Sequence, residues 1–181
     1  MDIYLQTPVG PFRTAIGAAF NTFTTRQDVS PQPLAVIQGG TMRLGTQFEV
    51  IADGEFSTTG TPTLSIGCYI GTVAGSITTV LAEYTAAATV TTAASWPWHL
   101  EYRGIVVGPL GTAASVVGSG RVDLGTSLTT VGAIPIPSTL ALRTISMDTT
   151  IARAIGICAT WGTSSASNSI KTYNLSVALL N

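Results

Sequence analysis

The sequence predicts an all-β protein, an antiparallel β-sandwich of the jelly-roll type with a short extended N-terminal arm. Apolar and polar residues alternate with a period of two along most of the 181 residues, as in strands with one buried face. Turn clusters rich in Gly and Pro separate these segments at short spacing, which is typical of sandwiches and jelly rolls. Helix signals are weak, because the Ala-rich segment 82–94 mixes in Thr and Val and has no apolar stripe.

Residues 1–33 form the predicted arm, and residues 34–181 form the predicted β domain. Four prolines break regular structure in the arm, and so short a segment cannot bury all of its apolar side chains by itself. The arm therefore docks on a neighbouring subunit or lies along its own domain, and we favour the intermolecular alternative slightly. The residues expected to make this contact are Ile3, Tyr4, Leu5 and Phe12.

The first strand of the predicted domain covers residues 47–56. Its apolar face is formed by Phe48, Val50, Ala52 and Phe56, whereas Glu49 and other polar residues occupy the opposite face. A turn cluster with Gly60 and Pro62 follows, and residues 62–70 then alternate again. We therefore predict that these two strands form a hairpin.

Residues 98–107 predict a strand with one aromatic and one charged face. Trp98, Leu100 and Tyr102 share the apolar face. The opposite face carries His99, Glu101 and Arg103, whose charges neighbouring strands can pair. Further strands are predicted at 113–124 and 140–147.

A second hairpin is predicted from the last two alternating segments. Residues 151–161 and 170–180 each place their apolar residues mainly on one side, and the Ser-rich stretch GTSSASNS separates them.

The charge content points to a protein that is covered by other protein. Only 9% of the residues are charged, against about 25% in an ordinary globular domain, and the net charge is −1. The lack of basic excess argues against nucleic-acid binding. A weakly charged, Thr-, Ser- and Gly-rich surface suits a subunit of an assembly. The alternative is a small Thr-rich soluble β domain.

No targeting or membrane segment is expected. The start MDIYLQTPVG lacks the basic and apolar regions of a secretory signal peptide. The uncharged stretch 56–82 is interrupted throughout by Gly, Pro, Ser and Thr, so it does not predict a membrane span. Cys68 and Cys158 are expected to be two buried thiols rather than a disulfide.

The sequence offers little for catalysis or cofactor binding. His99 is the single histidine, and we interpret it as a structural residue of its strand. One His and two distant Cys do not make a metal site, and no cofactor is expected. Asp53 and Glu55 lie on one strand face about 7 Å apart, a spacing that could serve glycoside hydrolysis. We interpret them instead as solvated acids near a turn.

The segment Trp96-Pro97-Trp98 has two interpretations. The tryptophans could pack in the core or an interface, which we favour. In the alternative, Trp96, Trp98 and Tyr102 form a platform that stacks on sugar rings, as in a receptor- or glycan-binding module.

Three segments resemble small structural proteins of tailed bacteriophages. They are FSTTGTPTLSIGCYIG at 56–71, WPWHLEYRGIVVGPLGTAASVVGSGRV at 96–122 and ATWGTSSASNSIKTYNLSV at 159–177. The resemblance covers roughly residues 45–180, which is most of the chain. It carries no catalytic residues.

The resemblance implies a jelly-roll-like domain in a virion assembled in the host cytoplasm. Head decoration proteins and tail-tip subunits both use such domains. Because a long fibre shaft is missing, a capsid decoration protein is favoured. Its expected partners are the major capsid protein and two further copies of itself in a homotrimer, without nucleic acid or membrane. The arm residues named above would contact the capsid.

Overall fold

A computed structural model describes residues 6–8, 19–88, 92–127, 130–138 and 144–180. In these ranges all regular secondary structure is β, with thirteen strands and no helix. The strands, in chain order, are β1 Gln6–Pro8, β2 Phe20–Asn21, β3 Gln27–Asp28, β4 Ala35–Ile37, β5 Gln47–Ser57, β6 Thr63–Gly71, β7 Ile77–Ala88, β8 Trp96–Val106, β9 Ala114–Ser127, β10 Thr130–Ile136, β11 Thr144–Met147, β12 Arg153–Trp161 and β13 Ser169–Leu180. The predicted all-β class is confirmed.

The described strands form two antiparallel sheets. The larger sheet has eight strands in the order β1-β13-β5-β8-β9-β10, with β2 also on β13 and β11 also on β9. The smaller sheet has five strands in the order β3-β12-β6-β7, with β4 also on β12. Both sheets contribute to one buried cluster of apolar side chains. The cluster holds the face predicted for the first strand, namely Phe48, Val50, Ala52 and Phe56.

Both predicted hairpins are wrong. Strands β5 and β6 lie in different sheets, and so do β12 and β13. Instead, β5 pairs with β13 over almost its full length, and β6 pairs with β12. The segments 58–62 and 162–168 therefore carry the chain from one sheet to the other. Gly- and Pro-rich turn chemistry is the same in a hairpin and in such a crossing, so the local pattern could not distinguish them.

The two crossings lie side by side. The backbone N–H of Thr59 donates to Oδ1 of Asn168 at 3.1 Å, and the N–H of Gly162 donates to the carbonyl of Thr63 at 2.8 Å. Asn168 is 1% exposed. This buried amide thus links one crossing to the other.

The described part of the arm lies on its own chain. β1 and β2 pair with the free side of β13, and β3 pairs with the free side of β12, where β4, just after the arm, also pairs. For these residues the slightly favoured intermolecular alternative is therefore corrected to the intramolecular one. Edge strands have unpaired backbone groups, and the arm supplies partners for them on both sheets. The contact residues Ile3, Tyr4, Leu5 and Phe12 lie outside the described residues.

Several strands differ from the predicted set. The Ala-rich segment belongs largely to β7, a strand in which Leu81 and Glu83 are buried. Strand β10 was not predicted, and only the second half of the predicted strand 140–147 is described, as β11.

The two cysteines are buried free thiols, as predicted. They lie on neighbouring strands, where Cys68 is opposite Ile157 and Cys158 is opposite Gly67. Side chains alternate between the two faces of a sheet, so these thiols point to opposite faces. Burial raises the pKa of both thiols. No helix long and apolar enough to cross a membrane occurs in the described part of the chain.

Candidate functional site

The outward side of the eight-stranded sheet, here called the charged face, concentrates the charge of the protein. It carries eight of the seventeen charged residues of the sequence. They come from four neighbouring strands, β13, β5, β8 and β9, and are Glu49, Asp53, Glu55, Glu101, Arg103, Arg121, Asp123 and Lys171. Opposed residues on such strands lie about 5 Å apart, which brings opposite charges together.

Glu49 has a close partner on the neighbouring strand. The Nε of Arg103, directly opposite on β8, donates to Oε1 of Glu49 at 2.7 Å, and Nη2 lies at the same distance. Glu49 is only 8% exposed. Glu101 lies between two cations, 3.6 Å from Arg103 and 4.0 Å from Arg121. These pairs confirm that neighbouring strands pair the charges of β8.

An acidic cleft lies further along the charged face, at the row Asp53, His99 and Asp123. The three residues are direct neighbours on β5, β8 and β9. Nδ1 of His99 and Oδ1 of Asp53 are 2.6 Å apart. Asp123 has one buried oxygen, Oδ1, without a hydrogen-bond partner among the described residues, while Oδ2 lies 3.5 Å from Nε of Arg121. Asp53 thus contacts His99, whereas Asp123 contacts the guanidinium of Arg121.

The cleft has apolar walls and a volume of about 460 Å³. Pro97, the exposed side chain of Val131 and the ring of Tyr173 line it beside the charged row. Tyr173 owes its position to a β-bulge, because the register of β13 against β5 shifts between Thr172 and Asn174. A hydrogen bond with the Glu55 carboxylate raises the pKa of the Tyr173 phenol above its ordinary value.

The floor of the cleft depends on a glycine. A Cβ on Gly54 would collide with the carbonyl of Lys171 and with the indole of Trp98. Trp98 lies directly opposite Gly54, is 2% exposed, and donates its Nε1–H to the Lys171 carbonyl at 3.2 Å. The cleft therefore lies above a tightly packed part of the core.

The alternative glycan platform of Trp96, Trp98 and Tyr102 needs correction. Trp98 and Tyr102 are 2% and 1% exposed and belong to the core, and Trp96 is partly buried against it. The inward face of β8 turns the rings of Trp98 and Tyr102 away from solvent, so these two rings offer no surface for stacking on a sugar.

The paired carboxylates Asp53 and Glu55 lie on the outward face of β5, as predicted from the alternation. They have separate partners, since Asp53 contacts His99 and Oε1 of Glu55 lies 4.0 Å from Nζ of Lys171. Among the described residues, Asp53 is the only hydrogen-bond partner of the His99 ring. A relay from His to a hydroxyl or thiol nucleophile is therefore not assembled within the described ranges.

A second surface, here called the apolar end, is formed by four loops at the same end of the two sheets. Loops 38–46, 107–113 and 148–152 are hydrogen-bonded to one another. Gly45 N–H donates to the Val106 carbonyl, Gly40 N–H to the Thr149 carbonyl, and Thr149 N–H to the Gly111 carbonyl. Loop 72–76 lies at the same end of the smaller sheet as loop 148–152, because β6 ends opposite the start of β12.

The apolar end exposes most of the large apolar side chains that the described residues leave in solvent. Five of the six such residues lie in its loops: Leu44, Val73, Val107, Leu110 and Ile151. The four loops contain only two charged residues, Arg43 and Asp148. This end is therefore apolar and nearly uncharged, in contrast to the charged face.

Arg43 and Leu44 project from a tight turn of the apolar end. Thr46 N–H donates to the Arg43 carbonyl at 3.0 Å, and Arg43 N–H donates to Oγ1 of Thr46 at 2.9 Å. Gly45 has a φ of 86°, which favours glycine, and its N–H is bonded to β8 at 2.8 Å. The turn is thus internally braced and tied to the larger sheet.

Sequence reasoning found Asp53 and His99 but missed Asp123, Tyr173 and the apolar end. Alternation shows which face a residue occupies, whereas the partner of His99 on β9 depends on strand register. The described residues contain no group of three or more His, Cys, Asp or Glu side chains suited to holding a metal ion. Comparisons with known protein families, curated proteins and solved structures found no match to this chain.

Proposed function

We propose that this chain is a non-enzymatic structural subunit of a tailed-phage virion, most specifically a capsid decoration protein that binds the outside of the head. The observation that carries the proposal is the apolar end. Five large apolar side chains are exposed there, in loops with only two charged residues. Exposed patches of this kind mark surfaces that other proteins cover.

The energetics favour binding in many copies. Each 100 Å² of apolar surface buried at the apolar end contributes about 2.5 kcal/mol before the cost of association. A decoration protein binds as an oligomer to a repeating shell, so modest contacts add through effective concentration. The expected partners are the major capsid protein and further copies of this chain in a homotrimer.

Fold and sequence resemblance support the same proposal. Two antiparallel sheets share one core, and the chain crosses between them at 58–62 and 162–168. This arrangement fits a β-sandwich of the jelly-roll type, which is the fold that the resemblance to phage structural proteins implies. The rival proposal of a glycan-binding tail-tip module loses its aromatic platform, because Trp98 and Tyr102 are buried.

The decisive experiment measures binding of the purified protein to heads of the encoding phage assembled without it. We expect Leu110→Ser to weaken occupancy about tenfold, because a half-exposed Leu loses about 1.4 kcal/mol of apolar burial. Leu110→Met keeps the apolar surface and serves as the matched control. A wild-type protein that ignores these heads would overturn the proposal, as would full occupancy by Leu110→Ser together with full occupancy by the other four apolar-end variants to Ser.

The arm requires its own variant. Deleting residues 1–15 would also remove β1 from the edge of β13. Replacing Ile3, Tyr4, Leu5 and Phe12 with Ser leaves Gln6–Pro8 in place. If the arm contacts the capsid, the substituted protein occupies fewer sites on the head. Unchanged occupancy would remove the arm from the proposal and leave the apolar end.

A further inference from the structure

Two features of the surface are complementary in charge and are only partly satisfied, or not paired at all, by the contacts within one chain. Arg43 is an exposed cation, and no ion pair of the described residues involves it. The acidic cleft holds two carboxylates and an unpartnered buried oxygen of Asp123. We propose that the turn carrying Arg43 and Leu44 in one copy enters the acidic cleft of the next copy. The inference rests on the self-association in the proposed function and names its contact.

The cleft is suited to a guanidinium group. Asp53 and Asp123 lie on either side of His99 across three adjacent strands. Buried oxygens are nearly always hydrogen-bonded, and Oδ1 of Asp123 lacks a partner in the described part of the chain. Arg121 contacts Asp123 only at Oδ2, which lies 3.5 Å from Nε of Arg121. The side chains of Asp53 and Asp123 remain 47% and 20% exposed, so a guanidinium with several N–H donors can approach this acidic row from solvent.

The apolar parts of the two surfaces match as well. Leu44 is 67% exposed and Val131 is 59% exposed, the two highest values among the large apolar residues of the described ranges. Leu44 adjoins Arg43 in the turn, and Val131 adjoins the acidic row in the cleft. When Arg43 enters the cleft, Leu44 is placed to cover Val131 and Pro97. One contact therefore buries Leu44 and Val131, the two most exposed large apolar side chains of the described residues.

The turn loses little conformational entropy when it binds. Its backbone is held by the hydrogen bonds between Arg43 and Thr46 and by the bond from Gly45 to β8. A preorganised segment binds more tightly than a flexible one with the same contacts.

The proposed contact predicts a closed ring. The turn and the cleft are different surfaces of the same chain, so the interface is heterologous. Heterologous interfaces close into rings when the rotation permits. Three copies related in this way give the proposed homotrimer, with each cleft filled by a neighbour.

Sedimentation velocity over a concentration series tests the contact on the full chain. We expect Arg43→Glu to raise the dissociation constant of self-association at least about tenfold, because it replaces attraction by repulsion. Arg43→Lys should retain most of the affinity. Val73→Ser is the matched control for Leu44→Ser, because Val73 is also exposed in the apolar end but lies outside the contact. Circular dichroism checks that each variant is folded.

A double-mutant cycle adds a second, independent readout. If Leu44 of one copy covers Val131 of the next, the effects of Leu44→Ser and Val131→Ser on self-association are not additive. Additive effects would overturn the inference, as would unaltered assembly of Arg43→Glu or a wild-type chain that stays monomeric. Head binding by a monomer would refute the ring and keep the proposed function. A ring that is broken by Arg43→Glu but does not bind heads would support the contact and refute the decoration role.

Discussion

The charged face and the apolar end show how a chain with so few charges distributes them. The charged face holds eight charged residues on four adjacent strands, and most of them lie within 4.0 Å of an opposite charge. The apolar end holds two charged residues in four loops and exposes five large apolar side chains. The low overall charge is therefore uneven, and the poorly charged part coincides with the loops.

The difference follows from backbone geometry. In a sheet, register holds opposed side chains about 5 Å apart, so a charge has a fixed neighbour with which to pair. Loops provide no such fixed neighbours, and only one ion pair, Asp148 with Arg153, occurs at the described apolar end. Ion pairing satisfies most charges of the charged face outside the acidic cleft, whereas the apolar end leaves its large apolar side chains exposed.

The largest expected effect is a loss of stability, and it compares a tightly packed glycine beneath the charged face with an open glycine in the apolar end. Gly54→Ala should destabilise the protein by about 3 kcal/mol or more, because the new Cβ meets backbone and the Trp98 ring beneath the charged face. Gly40→Ala in the apolar end should cost only about 1 kcal/mol, since its surroundings are open and only its φ of 75° is unfavourable. Urea unfolding measures both. Equal losses would contradict the difference in packing.

A smaller effect compares the two kinds of surface residue. Arg103→Ala should cost about 2 kcal/mol, because it leaves the nearly buried Glu49 carboxylate without its cation. Leu110→Ser should change stability by less than about 0.5 kcal/mol, because Leu110 is half exposed in a loop. Arg121→Ala is the control, as its partners Glu101 and Asp123 are more exposed than Glu49. An Arg103→Ala protein as stable as wild type would show that the pair contributes nothing.

The smallest effect concerns the one paired acid of the apolar end. Hydrogen bonds from the hydroxyl and N–H of Thr150, and then the nearby Arg153, lower the pKa of Asp148 below 3.8. Its stabilising contribution is therefore present above about pH 3.8 and is lost as the pH falls through the folded-state pKa. Asp148→Asn should be slightly less stable than wild type at pH 7, and the two should converge in acid. A difference that grows on acidification would contradict this assignment.

The face of each strand could be predicted from sequence, but the neighbour of each strand could not. The alternation placed Phe48 and Trp98 inward and Asp53 and His99 outward, as observed. The pairing of β5 with β13 joins segments more than 100 residues apart, and no local signal encodes it. Turn chemistry at 58–62 even suggested the wrong partner for β5.

The same limit explains the candidate sites. The acidic cleft needs β9 beside β8 in one particular register, so that Asp123 meets His99, and it needs a bulge to aim Tyr173. The apolar end needs loops that lie more than 100 residues apart in sequence, such as those of Gly40 and Thr149, to meet in space. Each depends on distances that alternation and turn signals do not contain.

Strands β1 to β4 have a practical consequence for anyone who shortens or tags this protein. They occupy the outer margins of β12 and β13, so removing the first 37 residues would uncover hydrogen-bonding backbone on both sheets at once. Unpaired edge strands pair with strands from other molecules, so such a truncated product would be prone to aggregate. Fusion partners therefore belong ahead of an intact leading segment.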